Sequence, residues 1–399
     1  MPPKPSPAPF CGDMPMRRSA LLTRDPNGGV PALFQGRRAS FSFSTRVAIR
    51  RACDLLGLMS GDEVLAPAYH CGSELDPLLQ AGLQVRLYPT GRDTTIDPEA
   101  VRALITPRSK AVYLIHYFGF LQPATDAVRA LCDAHGLALI EDCALSLLSG
   151  AHPADGRAGD VAVFCFYKFF PTLGGGAMVL NGGDITGGTR FTRAVPGKMA
   201  AKGLLRAGVD LLLGGERRMA LMRRLKPARP AFPAPVAGRD ADMPADYYFD
   251  ERLLDTRMAA LTARQIGSFD TANAIALRRR NYRLYQAELA SLPGIHMLFP
   301  DLPETVCPLY MPVITENRDV LAAALAQRGI AATPWWAGYH RKLDFTGQTD
   351  ARFLKDNVLA LPCHQYLGEA AIRYICQVLR GLIATETGSV TRDFGGNRL

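Results

Sequence analysis

The sequence predicts an α/β protein built on a parallel, doubly wound sheet, followed by a smaller α+β C-terminal domain. Three observations carry this reading. Short apolar strands alternate with helical patterns from Val64 to Ala144. The stretch LALIEDCA, Leu137 to Ala144, opens on a continuous apolar run, as in a strand covered on both faces. That run ends in Glu141-Asp142, which puts a carboxylate at the carboxyl end of a parallel strand, where open α/β sheets bind ligands.

The composition bounds the answer. A chain of 399 residues, 48% hydrophobic and 21% charged, is long enough for two domains sharing a substantial core. The opening MPPKPSPAPF is proline-rich without an apolar core of signal-peptide length, and no run approaches the roughly 20 apolar residues of a membrane span. Nine cysteines form no CxxC pair, and several sit inside apolar strands or helices, where a thiol is a small hydrophobe. A reduced, cytoplasmic protein without a structural zinc site is expected.

Residues 1–35 read as an irregular lead-in, with Pro26-Asn27-Gly28-Gly29 and little periodicity. The large domain spans 36–270. It opens with Phe41 to Arg46 and the helical pattern VAIRRACDLLGLM, so Ser44 or Thr45 stands at a helix N-terminus, as a plain cap or as part of an anion site. Gly61-Asp62-Glu63 turns into the strand VLAPA, with Tyr69-His70-Cys71-Gly72 at its far end. QVRLYPT, the helix from Pro98, KAVYLIHYFG and the helix ATDAVRALCDAHG continue the alternation. His116 ends its strand beside the presumed site, a position more typical of a hydrogen-bonded structural histidine than of an acid or base.

After Asp142 comes Val161 to Phe166, an apolar strand, then Tyr167-Lys168 and a turn with Pro171 and Gly174-Gly175-Gly176. A lysine and an aspartate at the mouth of one sheet point to pyridoxal 5'-phosphate (PLP). That cofactor needs an amine for its Schiff base, a carboxylate to keep the pyridine nitrogen protonated, and donors for its phosphate. The bland alternatives are a snorkelling lysine and a solvated strand-end carboxylate. Tyr167, Phe169 and Phe170 around Lys168 favour the chemical reading, because greasy surroundings favour a neutral amine.

In this order Gly61-Asp62-Glu63-Val64 with Pro67, His116 with Gly119, Glu141-Asp142-Cys143-Ala144, Gly159-Asp160 leading to Lys168, and Gly175-Gly176 resemble the DegT/DnrJ/EryC1/StrS family. These are fold-type-I PLP-dependent aminotransferases, many acting on nucleotide-linked keto-sugars. The likeness runs from about Ser44 to Arg380, interrupted by one insertion. It implies a mostly parallel seven-stranded sheet sandwiched by helices, PLP on Lys168, Asp142 at the ring nitrogen, and the phosphate at Ser44 and Thr45. It also implies an amino donor such as glutamate and a homodimer with shared active sites, in which a loop near Tyr247, Tyr248 and Arg252 reaches the partner's cofactor.

The departures from the family are local. Cys71 takes the slot of an aromatic that stacks on the ring, so His70, beside Tyr69, is the expected replacement. Cys165 stands where a serine is usual, and Leu145 where a glutamine or histidine is. These changes bear on substrate choice. A dehydratase or lyase is disfavoured because sugar-dehydratase relatives replace the lysine with histidine. A non-catalytic homologue is the other alternative.

The insertion covers about 185–246. From Arg190 to Arg229 it carries eleven basic residues against Asp210 and Glu216, an excess of nine that equals the net charge of the whole chain. Interleaved leucines predict two basic amphipathic helices around Gly214-Gly215, suited to an anionic substrate, to an anionic membrane surface, or to a solvated cover; no motif points to nucleic acid. Lys226 to Pro244 reads as the exit linker. The run Arg278-Arg279-Arg280 reads as a solvated helix side. Residues 271–385 then form the small domain, in which Trp335, Trp336, Tyr339 and His340 either wall the substrate side or pack, and 386–399 form a tail.

Overall fold

The computed structural model of the chain describes residues 11–183, 185, 190–214, 217 and 242–393. The large sheet has seven strands: β1 (Arg38–Ser42), β2 (Glu63–Pro67), β3 (Gln84–Tyr88), β4 (Ser109–Ile115), β5 (Ala138–Asp142), β6 (Val161–Cys165) and β7 (Gly176–Leu180). Their order is β1-β7-β6-β5-β4-β2-β3. Strands β3, β2, β4, β5 and β6 pair in parallel, and β7 runs antiparallel to both β6 and β1. Every residue of β2, β6 and β7 is buried, which is why these strands, apart from Glu63 at the start of β2, read as apolar runs rather than alternating ones.

Five helices flank this sheet or its connections: α1 (Thr45–Leu55), α2 (Asp76–Gln80), α3 (Pro98–Arg102), α4 (Thr125–His135) and α5 (Gly197–Leu213). Helix α1 buries Val47, Ala48, Ile49, Ala52 and Cys53, the three-and-four pattern of an amphipathic helix laid on a sheet. Gly176 lets it come close: a side chain there would meet the Phe164 carbonyl at 2.7 Å and the Thr45 amide nitrogen at 2.8 Å. Helix α5 is the first of the two expected basic helices. The second helix and nearly all of the exit linker lie outside the described residues.

Helices α6 (Ala260–Ile266) and α7 (Thr271–Leu289) lead into the C-terminal domain, an antiparallel sheet of β8 (His296–Met297), β9 (Tyr310–Ile314), β10 (Thr333–Pro334) and β11 (Val358–Pro362) in the order β10-β11-β9-β8. Helices α8 (Arg318–Gln327), α9 (Thr349–Asn357) and α10 (Glu369–Asp393) complete it.

Three expectations need correction. The lead-in, expected to be at best partly ordered, is packed into the core: Cys11, Met16, Ala20, Leu21, Val30 and Phe34 are all buried, and the Cys11 carbonyl accepts from the Ala331 amide at 2.9 Å. These apolar residues follow no helix or strand period, so nothing in the sequence pattern marks them as core. The tail does not begin at 386, because α10 continues to Asp393. The arginine run is not a solvated face either, since Arg278 has no exposed surface.

The Arg278 guanidinium donates to the carbonyls of Phe169 (3.1 Å), Pro308 (3.2 Å) and Leu309 (2.9 Å) and to Gln365 Oε1 (2.8 Å). It thereby fastens the turn after Lys168 to the C-terminal domain. Arg278→Leu strands these acceptors without replacing the donors and is expected to cost on the order of 3 kcal/mol, read as a lowered urea midpoint at unchanged slope.

Candidate active site

The parallel strands end on one side of the sheet, and their carboxyl ends surround a cavity of about 460 Å³. Ser44, Thr45, Asp142, Cys165 and Lys168 all line it. Strand β5 delivers Asp142, paired in register with Ile115 and Val163. Strand β6 ends at Cys165, and the turn that follows swings Lys168 back over the strand ends.

Asp142 is nearly enclosed. Its Oδ2 accepts from the Tyr113 hydroxyl at 2.7 Å and its Oδ1 from the Ala144 amide at 2.8 Å. Burial nevertheless pushes its carboxyl above the usual range, against the hydrogen bonds from Tyr113 and Ala144 and the charge of Lys168. A carboxyl held this way is still under-compensated, and a protonated ring nitrogen would supply the missing complement.

At the other end of the cavity Ser44 occupies the N-cap of α1 in extended conformation, yet its side chain makes no capping bond. The helix therefore opens on the cavity with unspent amide donors, a ready anion site. The hydroxyl of Thr45 is committed elsewhere, donating to the Phe164 carbonyl at 3.0 Å. Amine, buried carboxyl and helix N-terminus in one cavity fit the three requirements of PLP.

Tyr69 and His70 are not in the lining. Both are fully buried: Tyr69 stacks on Tyr117, with ring centroids 5.5 Å apart, and His70 lies 5.4 Å from the Phe345 ring. The stacking role expected of His70 therefore has no support in this arrangement. The chain still packs tightly against the C-terminal domain at residues 69 and 70 and faces the cavity only from Cys71 onward. Burial, ahead of the charges of Lys355 and His340, keeps His70 well below its ordinary pKa. The aromatic surfaces of the cavity come instead from Tyr167, Tyr247, Tyr310, Trp335 and Trp336, with Lys168 Nζ 5.9 Å from the Trp335 ring centre.

His116 acts within the fold. The Gln122 amide donates to its Nδ1 (3.0 Å), so Nε2 carries the proton toward Glu141 Oε1 (2.9 Å), while Glu141 Oε2 accepts from the Gly159 amide (2.8 Å). Burial opposes ionisation of Glu141, but these bonds hold its pKa below the usual range. The ligand atoms of His116, Glu141 and Cys143 lie within 4.8 Å of one another, but the first two are already spent on each other and on backbone amides.

Glu74 is a site residue that pattern reading missed. It lines the cavity with Asp142 and Lys168 and accepts from the Cys71 amide at 2.8 Å and the Ser73 hydroxyl at 3.4 Å. Burial first, then the nearby Asp142 charge, raises its pKa. Its only signal was an acid in the loop beyond the end of β2. Tyr247, expected with Tyr248 and Arg252 near a partner's cofactor, lines the cavity of its own chain beside Asp246; Arg46 Nη1 holds that loop by the carbonyls of Asp246 (2.9 Å), Tyr247 (2.8 Å) and Tyr248 (3.1 Å).

A second cavity of about 1120 Å³ adjoins the first and shares Tyr167, Lys168 and Tyr310 with it. Helix α5 forms one wall, and Lys202, Arg206, Arg257 and Arg278 are among its lining. Lys168 stands at the junction.

Residues 39–220 and 249–380 match the model of the DegT/DnrJ/EryC1/StrS aminotransferase family. Over 144 residues the chain is 35% identical to GDP-perosamine synthase of Vibrio cholerae, an alignment covering 35% of this chain and 38% of that protein. Over 332 residues it is 27% identical to the UDP-2-acetamido-2-deoxy-3-oxo-D-glucuronate aminotransferase of Pseudomonas aeruginosa, covering 81% and 80% of the two chains. Among solved structures, DesI in the presence of its TDP-sugar product superposes with a TM-score of 0.62 at 23% identity, covering 97% of each chain.

Because Asp142 and Glu74 resist ionisation in the folded chain, the stability these two carboxyls contribute to the cofactor-free protein is present below the ordinary carboxyl pKa of about 4 and is lost as the pH rises above it, where the unfolded carboxyls ionise and the folded ones do not. Asp142→Asn is expected to flatten that loss in thermal melts. The same substitution should weaken retention of PLP by about 10- to 100-fold, the cost of one hydrogen bond to a charged group.

Proposed function

The chain belongs to the DegT/DnrJ/EryC1/StrS family of PLP-dependent aminotransferases, and on that premise we propose that it transfers an amino group from an amino acid, glutamate being the candidate donor, to a keto-sugar attached to a nucleotide. The observation that carries the reading is the shared cavity. Lys168 and Asp142 line it together, and the uncapped N-terminus of α1 closes it. The sugar names of the relatives support the acceptor class.

PLP, when bound, supplies an aldehyde that condenses with amines and a protonated ring that takes up an electron pair. The protein's part follows from its own groups. Lys168 Nζ holds the cofactor and is the atom that accepts and returns the substrate proton. Asp142, steadied by Tyr113 and the Ala144 amide, keeps the ring nitrogen protonated. Ser44 and the first amides of α1 receive the phosphate. The acceptor enters through the larger cavity, where Lys202, Arg206 and Arg257 favour an anionic substrate.

Mixing the purified protein with PLP and glutamate tests this. The visible absorbance of the lysine-bound cofactor should give way to that of the pyridoxamine form, and Lys168→Ala should lower turnover by at least about 1000-fold. Cofactor binding without glutamate-dependent change would point to a dehydratase or lyase, and absence of binding to a non-catalytic homologue.

Among the described residues no helix is long and apolar enough to cross a membrane. All nine cysteines are unpaired, which suits a reducing compartment, and we assign the protein to the cytoplasm as a homodimer. Helix α5 further supports contact with an anionic membrane surface. Leu204, Leu205 and Leu212 are 63%, 71% and 79% exposed there, beside exposed Lys198, Lys202 and Arg206. A second copy of so basic a face would be repelled. The protein should float with vesicles rich in phosphatidylserine but not with neutral ones, and Leu205→Asp with Leu212→Asp should abolish this; dimer dissociation in the same variant would assign the face to a second copy instead.

A further inference from the structure

Lys355, on α9, has no exposed surface. Its ammonium lies 2.7 Å from the carbonyl oxygen of His70, 3.1 Å from that of Trp336 and 2.9 Å from that of Gly338, with the rings of Tyr339 and Phe345 5.1 and 5.3 Å away. An ammonium has three protons, and here each has its own oxygen. Burying such a charge costs several kcal/mol unless its bonds are complete. On the buried side of α9, between Ala351, Leu354 and the sheet, an aliphatic side chain would fill space at no such cost.

What the ammonium joins is informative. His70 belongs to the large domain and immediately precedes Cys71, the start of the loop that brings Cys71, Ser73 and Glu74 to the smaller cavity. Trp336 belongs to the C-terminal domain and, with Trp335, lines the same cavity. Lys355 thus spans the two domains just behind two of the cavity's walls. Trp336 moreover has φ of +53°, a strained backbone state for a bulky residue that persists only when its surroundings impose it. The bond from Lys355 to the Trp336 carbonyl is one such restraint, and the bond from the Trp335 amide to the Val358 carbonyl, at 2.9 Å, is its neighbour.

We propose that Lys355 is a positioning residue that fixes the spacing between the Cys71–Glu74 wall and the Trp335–Trp336 wall of the cavity. Its value for catalysis rests on the function proposed above, but the spacing itself can be read without substrate or cofactor. The chain has two tryptophans, and both stand in this wall, so tryptophan fluorescence, excited selectively over tyrosine, reports on it alone.

Lys355→Met keeps the stem and removes the ammonium. In the full-length, cofactor-free protein it is expected to shift tryptophan emission to longer wavelength and to increase quenching by acrylamide, with far-ultraviolet circular dichroism unchanged. Lys355→Arg should not restore the wild-type spectrum, because a planar guanidinium cannot direct three protons at three oxygens around one point. In the loaded enzyme, Lys355→Met should lower kcat/KM for the acceptor by about 10- to 100-fold.

Wild-type emission and quenching in Lys355→Met would overturn the proposal, even if the melting temperature fell, since that pattern marks a purely structural residue. If Lys355→Met does not fold, Lys355→Gln, whose amide can serve two of the three carbonyls, takes its place in the same measurement, and an unchanged spectrum there overturns the proposal equally. A spectral response in a protein that proves inactive as a transaminase would uphold the positioning role and refute the function instead.

Discussion

A carboxyl group at the end of a buried parallel strand is an energetic problem, and the fold around Asp142 is largely the answer to it. Tyr113 and the Ala144 amide provide two hydrogen bonds and Lys168 a charge, yet burial still prevails over them. In the function proposed above, the shortfall is what makes the position useful. A site fully compensated by its own protein would have nothing left with which to hold a cationic ring. The seven-stranded sheet, the close approach of α1 permitted by Gly176, and the turn that returns Lys168 all serve to surround this one carboxyl while leaving one side of it open.

The C-terminal domain takes part in the same construction. Arg278 pins the Phe169 carbonyl, one residue past the lysine, and Lys355 pins the His70 carbonyl, one residue before the cavity loop. Both are buried cations that spend most of their bonds on backbone oxygens, Gln365 Oε1 being a side-chain acceptor of Arg278. This economy suits a joint between domains, because a carbonyl bond constrains the chain itself, whereas a side-chain pair leaves two flexible stems between the points it connects. It also explains why the two cavities meet at the boundary between the sheets and not within either one.

Much of this was legible in the sequence. Strands β6 and β7 announce themselves as unbroken apolar runs, β2 and β5 as apolar runs with an acid at one end, and Asp142 and Lys168 stand out because a charge at such a strand end needs a reason. What stayed hidden lacks that kind of signal. The direction of a loop side chain depends on the backbone path, so nothing in Tyr69-His70-Cys71 told which of the three would face the cavity. Arg278 looked solvated because its neighbours are arginines, although the roughly 100° between successive helix residues is enough to bury Arg278 and leave Arg279 and Arg280 part-exposed. The lead-in buries residues scattered without period, and Glu74 sits in a loop where acids are ordinary.

That lead-in has an implication for how the molecule is made. The Cys11 carbonyl waits for the Ala331 amide, and the Gly12 carbonyl for His364, 2.9 Å away. The groups that hold this segment lie some 350 positions further along the chain, so its contacts can form only after the C-terminal part has been made and belong to the late, long-range steps of assembly.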